Sequence, residues 1–331
     1  MQNRIVEKFA THQDFAPWAN RAIEDVARAT GFVPDGEVQR RFIYDPSKTW
    51  RVRVRGTLEG RPALLRIENL KLEIDEETIR ASFRRQAEGS RVRPPITYAT
   101  RPFDDGKGYA WSIDEYADGR MLFDSVGVSN AAARAFMPFY RAYREAVREP
   151  FWPAPEGDIT AFCAQQFDGW LTVARERDAS VVQRHAPLLE RLRERVLGGV
   201  RGLPPRFMHA HLTGADVRVA PDGTYVVFAN HFWSWRQPGY DVAFPLWGQW
   251  MALPERRRTP SAVRDITETW LAAVRGELSD VVSADDVTTM LFNRLFGSLI
   301  LDIPAQRHRE SEASVAALEA TCIAEAERLL G

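Results

Sequence analysis

The sequence predicts an α+β chain in two lobes: a small antiparallel β-rich lobe carrying one helix, then a larger, mainly helical lobe. Three observations predict it. Short runs rich in β-branched and aromatic residues crowd the stretch before Gly119. Beyond Gly119, apolar residues recur at helical spacing over long segments. Late in the chain a loop, "FMHAHLTGADV" (207–217), runs into "VRVAPDGTYVVFA", which reads as a hairpin around Pro221-Asp222-Gly223.

The elements follow in order. "DFAPWANRAIEDVARATG" (14–31) reads as a helix capped by Asp14 and stopped by Gly31, within an N-terminal extension over residues 1–34. The first lobe spans 35–118. Its strands are "RRFIYD", "TWRVRVRG" and "RPALLRIE", the first two joined by "PSK" and the last two by "TLEG". Alternation in "WRVRVRG" predicts a half-exposed strand. "EIDEETIRASFRRQAEG" (73–89) predicts a helix with Ile79, Phe83 and Ala87 in one stripe and Glu76 on the same face. "RPPITYAT" and "GYAWSIDEYADG" complete the sheet.

The second lobe, 119–331, opens with "SNAAARAFMPFYRAYREAV", capped by Ser129. In "DITAFCAQQFDGWLTVA" (158–174), Ile159, Phe162, Cys163, Phe167, Trp170, Leu171 and Ala174 keep helical spacing. "APLLERLRERVLGGV" follows, and three further helical segments fill 241–331. No internal repeat or low-complexity tract interrupts them.

Composition narrows the partners. The 331 residues are 45% hydrophobic and 27% charged, with a net charge of −1. That balance argues for no nucleic-acid or anionic-membrane partner. Two cysteines, Cys163 and Cys322, make no disulfide framework or zinc spacing. The N-terminus lacks a signal-peptide core and no apolar run is long enough to span a membrane, so the expected location is the cytoplasm. A small-molecule ligand or a protein partner remains. The sequence does not reveal the oligomeric state.

A small β lobe, a hinge strand, a helical lobe and a late loop-plus-hairpin together resemble the protein kinase-like fold. More narrowly, residues 35–331 resemble the aminoglycoside phosphotransferase and choline kinase family. The resemblance implies a catalytic loop of pattern His-Gly-Asp-x-x-x-x-Asn, a hairpin, a metal-binding Asp, and a Tyr-Asp pair opening a helix. Here the loop reads "HAHLTGAD". His209 matches, Ala210 replaces Gly, His211 replaces the catalytic Asp, and Asp216 replaces the Asn. The metal position falls in "FANHFW", at Asn230 or, one residue earlier, at Ala229. "PGYDVAF" matches the closing element with Tyr240 and Asp241. In the first lobe, Arg66 takes the place of the phosphate-binding lysine. Glu76, rather than its neighbour Glu77, is the expected ion-pair partner. Glu115 and Tyr116 fall in the hinge that would touch an adenine ring. The stretch that would cover the phosphates, "YDPSKTW", has no glycine.

What the resemblance implies is ATP as cofactor, magnesium held by Asp216 and Asn230, and His211 as the catalytic base. Phosphoryl transfer depends on positioning and charge neutralisation. An imidazole can take a proton, but it cannot supply the negative charge of a carboxylate. Arg66 keeps a cation of a different shape from lysine. His209, His211, Asp216 and His231 also make a possible transition-metal set. Phe232, Trp233, Trp235, Trp247 and Trp250 are either core, an interface, or faces for a flat or cationic ligand.

Three readings follow. One is a degenerate member, a pseudokinase that binds a nucleotide, small ligand or protein partner without efficient transfer. Another is an active ATP-dependent phosphotransferase acting on a small-molecule hydroxyl, with His211 as base and Asp216 on magnesium. In the third, His211 and Asp216 form an acid–base pair for unrelated chemistry. Several chemistry positions have changed together while the packing signals remain, which favours the first.

Overall fold

The computed structural model describes residues 5–8, 15–42, 49–123 and 129–331. The expected cap at Asp14, the side chain of Ser129, and residues 44–48 of the covering stretch lie outside these. The chain runs β1 (Ile5–Lys8), α1 (Phe15–Thr30), β2 (Val33–Pro34), β3 (Gln39–Phe42), β4 (Thr49–Leu58), β5 (Arg61–Glu68), β6 (Leu70–Leu72) and α2 (Glu76–Gln86). Next come β7 (Val92–Arg93), β8 (Thr97–Asp104), β9 (Tyr109–Glu115) and β10 (Arg120–Met121).

Strands pair in the order β2-β4-β5-β9-β8, with β3 also on β4. The pairings within it are antiparallel. The β4–β5 turn is tight because Glu59 and Gly60 both take positive φ, 53° and 74°. Val52, Val54, Leu65, Ile67 and Ile113 pack with Trp18, Ala22, Ile23 and Val26 of α1 in one core. The alternating partners Arg51, Arg66, Glu68, Ser112 and Asp114 therefore face the other side, toward α2. Alternation in "WRVRVRG" is real, but its polar side is not all solvent: Arg51 is 3% exposed.

The second lobe holds α3 (Ser129–Ala146), α4 (Ile159–Val200), β11 (Arg206–His209), β12 (Val217–Val219), β13 (Tyr225–Val227) and β14 (Trp233–Arg236). After these run α5 (Tyr240–Met251), α6 (Pro260–Glu277), α7 (Ala284–Gly297), α8 (Ile303–Gln306) and α9 (Glu312–Leu330). The two helical segments expected across 158–200 form one element broken at Asp178, whose φ/ψ leave the helix. Asp178 Oδ1 accepts from Ser180 N at 3.0 Å and so caps the second half. Residues 240–330 carry five helices among the described residues rather than three. The caps Thr259, Ser283 and Ser311 each accept from a backbone N–H in the first turn that follows. Those serines and the threonine are the boundaries the periodicity alone did not show.

β12 and β13 form the expected hairpin, closed by Ala220 N donating to Thr224 O at 2.8 Å. It joins a four-stranded sheet, β10-β12-β13-β7, while β11 pairs with β14. In α2, Ile79 and Phe83 are buried against the large core, with Glu76 and Arg80 buried on the same element. No helix among the described residues is long and apolar enough to cross a membrane.

Candidate functional site

The site lies where α2, the cleft face of the sheet and the turns around 209–216 and 229–233 meet. His209, at the end of β11, is fully buried. Its Nε2 lies 2.9 Å from Phe228 O, and its Nδ1 accepts from His211 N at 3.4 Å. The neutral tautomer protonated on Nε2 satisfies both contacts. Burial pushes this imidazole down to about 4, so it stays neutral and orients the loop.

His211 follows with its ring stacked on Phe232 (centroids 4.2 Å, 12°) and tilted against Phe244 at 4.7 Å. Its Nδ1 lies 3.1 Å from Asp216 Oδ2. That same oxygen accepts from Thr213 N at 3.0 Å and Thr213 Oγ1 at 2.6 Å. Burial alone would raise the Asp216 carboxyl. The charge of His211 and the hydrogen bonds of His211 and Thr213 outweigh that and bring it down to about 2. His211 and Asp216 are thus brought together, with the carboxylate turned into the loop.

Asn230 is fully buried and its amide is spent internally. Nδ2 donates to Val227 O at 2.9 Å, and Oδ1 accepts from Trp233 Nε1 at 3.1 Å. Ala229, before it, holds a left-handed φ of 56°. In either register, then, no side-chain oxygen of residues 229 or 230 is presented to a metal. Of the expected pair, the Asp216 carboxylate alone is left, so the two-residue magnesium site that the resemblance implies is not assembled. No group of three His, Cys, Asp or Glu side chains gathers to hold a metal among the described residues. His231 sits with Glu76 instead of with His209 and His211.

Across the cleft, Arg66 and Glu76 pair at 2.8 Å (Nη1–Oε2). Glu77 turns elsewhere, to Arg84 and Thr97. The pair belongs to a larger buried network. Arg66 also reaches Ser112 Oγ, Glu68 at 3.5 Å and Asp114 at 3.8 Å. Arg80 bonds Glu76 Oε1 at 3.0 Å and Asp114. Arg51 Nε lies 2.6 Å from Glu68 Oε1, and its Nη2 lies 3.2 Å from His231 Nε2. His231 Nδ1 lies 3.1 Å from Glu76 Oε2, and Glu76 Oε1 accepts from Asn230 N at 3.0 Å. One neutral tautomer of His231, donating to Glu76 and accepting from Arg51, fits both contacts. Burial and the Arg51 charge lower its pKa accordingly.

Three guanidinium groups, Arg51, Arg66 and Arg80, thus meet three carboxylates, Glu68, Glu76 and Asp114. Burial would raise Glu76, but Arg66 and Arg80 hold it well below the usual carboxylate range. Glu68 is lowered in the same way by Arg51 and Arg66. The sequence reading missed Arg51, Glu68, Arg80 and Asp114, and grouped His231 with His209, His211 and Asp216 instead of with Glu76. Arg80 was findable, since it lies one helical turn beyond Glu76 on the buried face. Arg51 and Glu68 become partners only through the β4–β5 register, in which they stand opposite each other.

The hinge residues do not join this network. The Glu115 carboxylate pairs with Arg93 and accepts from Ile96 N at 2.9 Å. Tyr116 lies on the surface beneath the Arg55 guanidinium, 4.5 Å from its ring centroid. Among the aromatics, Trp233 and Trp250 are core. Trp233 stacks on Phe207 at 5.5 Å and meets Phe83, Tyr143 and Phe151. Trp235 donates to Trp152 O, and the half-buried Trp247 is faced by Arg294 at 3.9 Å.

No known protein-family profile matches the chain, and no curated protein matches its sequence. Solved structures do resemble it. The aminoglycoside phosphotransferase APH(4)-Ia superposes with a TM-score of 0.61 at 12% identity, over 92% of this chain and 99% of that one. A thermostable mutant of APH(4)-Ia in ternary complex with ADP and hygromycin B gives 0.56 at 12% identity, over 91% and 97%. The spectinomycin phosphotransferase APH(9)-Ia, in complex with ADP and spectinomycin, gives 0.53 at 10%, over 92% and 96%. The chain has the two-lobed, protein kinase-like fold of the aminoglycoside phosphotransferases.

Proposed function

We propose that this protein keeps the phosphotransferase fold without efficient phosphoryl transfer, and serves as a binding protein for a nucleotide, a small ligand or a protein partner. One observation carries the reading: beyond the Glu76 pair that the resemblance expects, the cation that would meet the phosphates, Arg66, is faced by two further buried carboxylates, Glu68 at 3.5 Å and Asp114 at 3.8 Å. Transfer needs positive charge and metal-held oxygens placed around the moving phosphoryl group, and each added carboxylate beside the cation weakens that field. The commitment of the Asn230 amide points the same way. The nucleotide complexes of similarly folded proteins keep a nucleotide among the ligands to try first.

The test is phosphate release and transfer from ATP with magnesium or manganese, across a panel of hydroxyl acceptors. The reading expects no turnover above buffer. Metal-dependent turnover abolished by Asp216→Ala and His211→Ala would overturn it in favour of an active phosphotransferase. The latter has one observation on its side: His211 is partly exposed and oriented by an ionised Asp216.

A further inference from the structure

We propose that Arg236 anchors a buried anion site in the helical lobe, and that the site takes a small organic monocarboxylate. Arg236 ends β14, opposite Arg206 of β11. It is 1% exposed, and neither its Nε nor its Nη1 has a hydrogen-bond partner. The other buried arginines are matched: Arg51 by Glu68, Arg66 and Arg80 by Glu76, Arg258 by Glu310 and Arg294 by Asp302. Among the described residues no carboxylate pairs with Arg236.

The surroundings hold this cation without neutralising it. Its guanidinium carbon lies 4.8 Å from the centroid of the Tyr240 ring and 5.7 Å from that of Phe162. Ring faces compensate a cation only in part, and a charge buried without a counter-ion is costly. Cys163 is no counter-ion. Burial pushes its thiol up to about 12, against the opposing effects of Gln237 and the Arg236 charge. Gln237, fully buried, puts one end of its amide on Cys163 Sγ and leaves the other without a partner. Two consecutive residues thus carry unspent hydrogen-bonding groups, and one of them an uncompensated charge. Burial lowers the Arg236 pKa and, against Tyr240, the charge of Arg294 lowers it further, so an anion placed here relieves both. A planar carboxylate suits a guanidinium fork. One buried cation balances one negative charge, whereas a dianion would leave excess charge in the interior. Phe162, flanking the cation and itself half-buried, gives the site an apolar wall for the body of the acid.

The inference gives a chemistry to the small ligand of the reading above but does not depend on it. The site shares no residue with the Arg66–Glu76 network or with Asp216, so it stands or falls whatever the cleft does with ATP. Formate, acetate and benzoate are titrated into wild type, Arg236→Met and Arg236→Lys at pH 7 and constant ionic strength. Formamide, acetamide and benzamide serve as the neutral counterparts, and inorganic phosphate as the dianion. Binding is read by calorimetry and by the shift in melting temperature. The expected result is a saturable rise in wild type with at least one carboxylate and none with its amide. Affinity should be at least about thirtyfold weaker in Arg236→Met, as when one partner of a buried charge pair is removed. Should Arg236→Met fold poorly, Arg236→Lys, which keeps the charge but not the fork, should still give a weakened saturable shift. Absence of a saturable shift with all three carboxylates at millimolar concentration would overturn the proposal. So would an equal shift with the amides or with phosphate, or a shift undiminished in both variants.

Discussion

Two buried histidines set how the protein should respond to acid. His209 and His231 both have folded pKa values below their ordinary one, His209 at about 4. As pH falls from about 6.5 the unfolded chain takes up these protons first, so stability is complete above that value. It declines until the folded imidazoles protonate, His209 alone contributing a loss of about 3 kcal/mol. Glu68, Glu76 and Asp216, lowered by their partners, add losses of the same sign below their own ordinary values. Urea melts between about pH 7 and pH 4 check this; a flat profile would contradict it. Asn230→Asp makes a second test. It deletes the donor to Val227 O and brings a carboxylate beside Glu76, so stability should fall by about 1–3 kcal/mol. An equally stable variant that binds magnesium would show that the position is still a ligand site.

At the scale of elements, the 209–216 loop depends on a close approach. A Cβ on Gly214 would lie 2.1 Å from Phe123 O. Gly214→Ala should therefore shift the loop and separate His211 from Asp216, with a stability loss of about 1–3 kcal/mol. A denaturant melt measures the loss, and the His211 ring signals in NMR report the separation. Most elements were legible because each carries a local signal: the period-two strands, the stripe of α2, the turn at Pro221-Asp222-Gly223. The break at Asp178 and the division of 240–330 were not, because they depend on single caps rather than on periodicity. Arg66 and Glu76 were expected as a pair through the family resemblance, and they do pair. The partners of Arg51, Glu68 and His231 were not legible, since strand register and the meeting of distant loops are tertiary facts. Arginine alternating with valine reads as a solvated face, and only the closed cleft turns Arg51 inward.

For the whole molecule, the fold persists at 12% identity to APH(4)-Ia while the charges that would handle phosphate are turned on one another. Contacts from Arg51 and Glu76 to the 230–231 turn also tie the two lobes together. Restoring one residue should therefore not restore chemistry. His211→Asp is expected to leave ATP turnover at background, and a robust gain would mean that the remaining machinery is intact. The most direct measurement is a thermal-shift titration of the wild type with ATP, ADP and GTP, with and without magnesium. A ligand confined to the native state stabilises it by about 2.7 kcal/mol at a hundredfold excess over its Kd. The account predicts no magnesium-dependent shift, because Asn230 is spent and Arg66 faces two further buried carboxylates. A magnesium-dependent rise in Tm with any of the three would contradict it, placing a metal–nucleotide pair in the cleft.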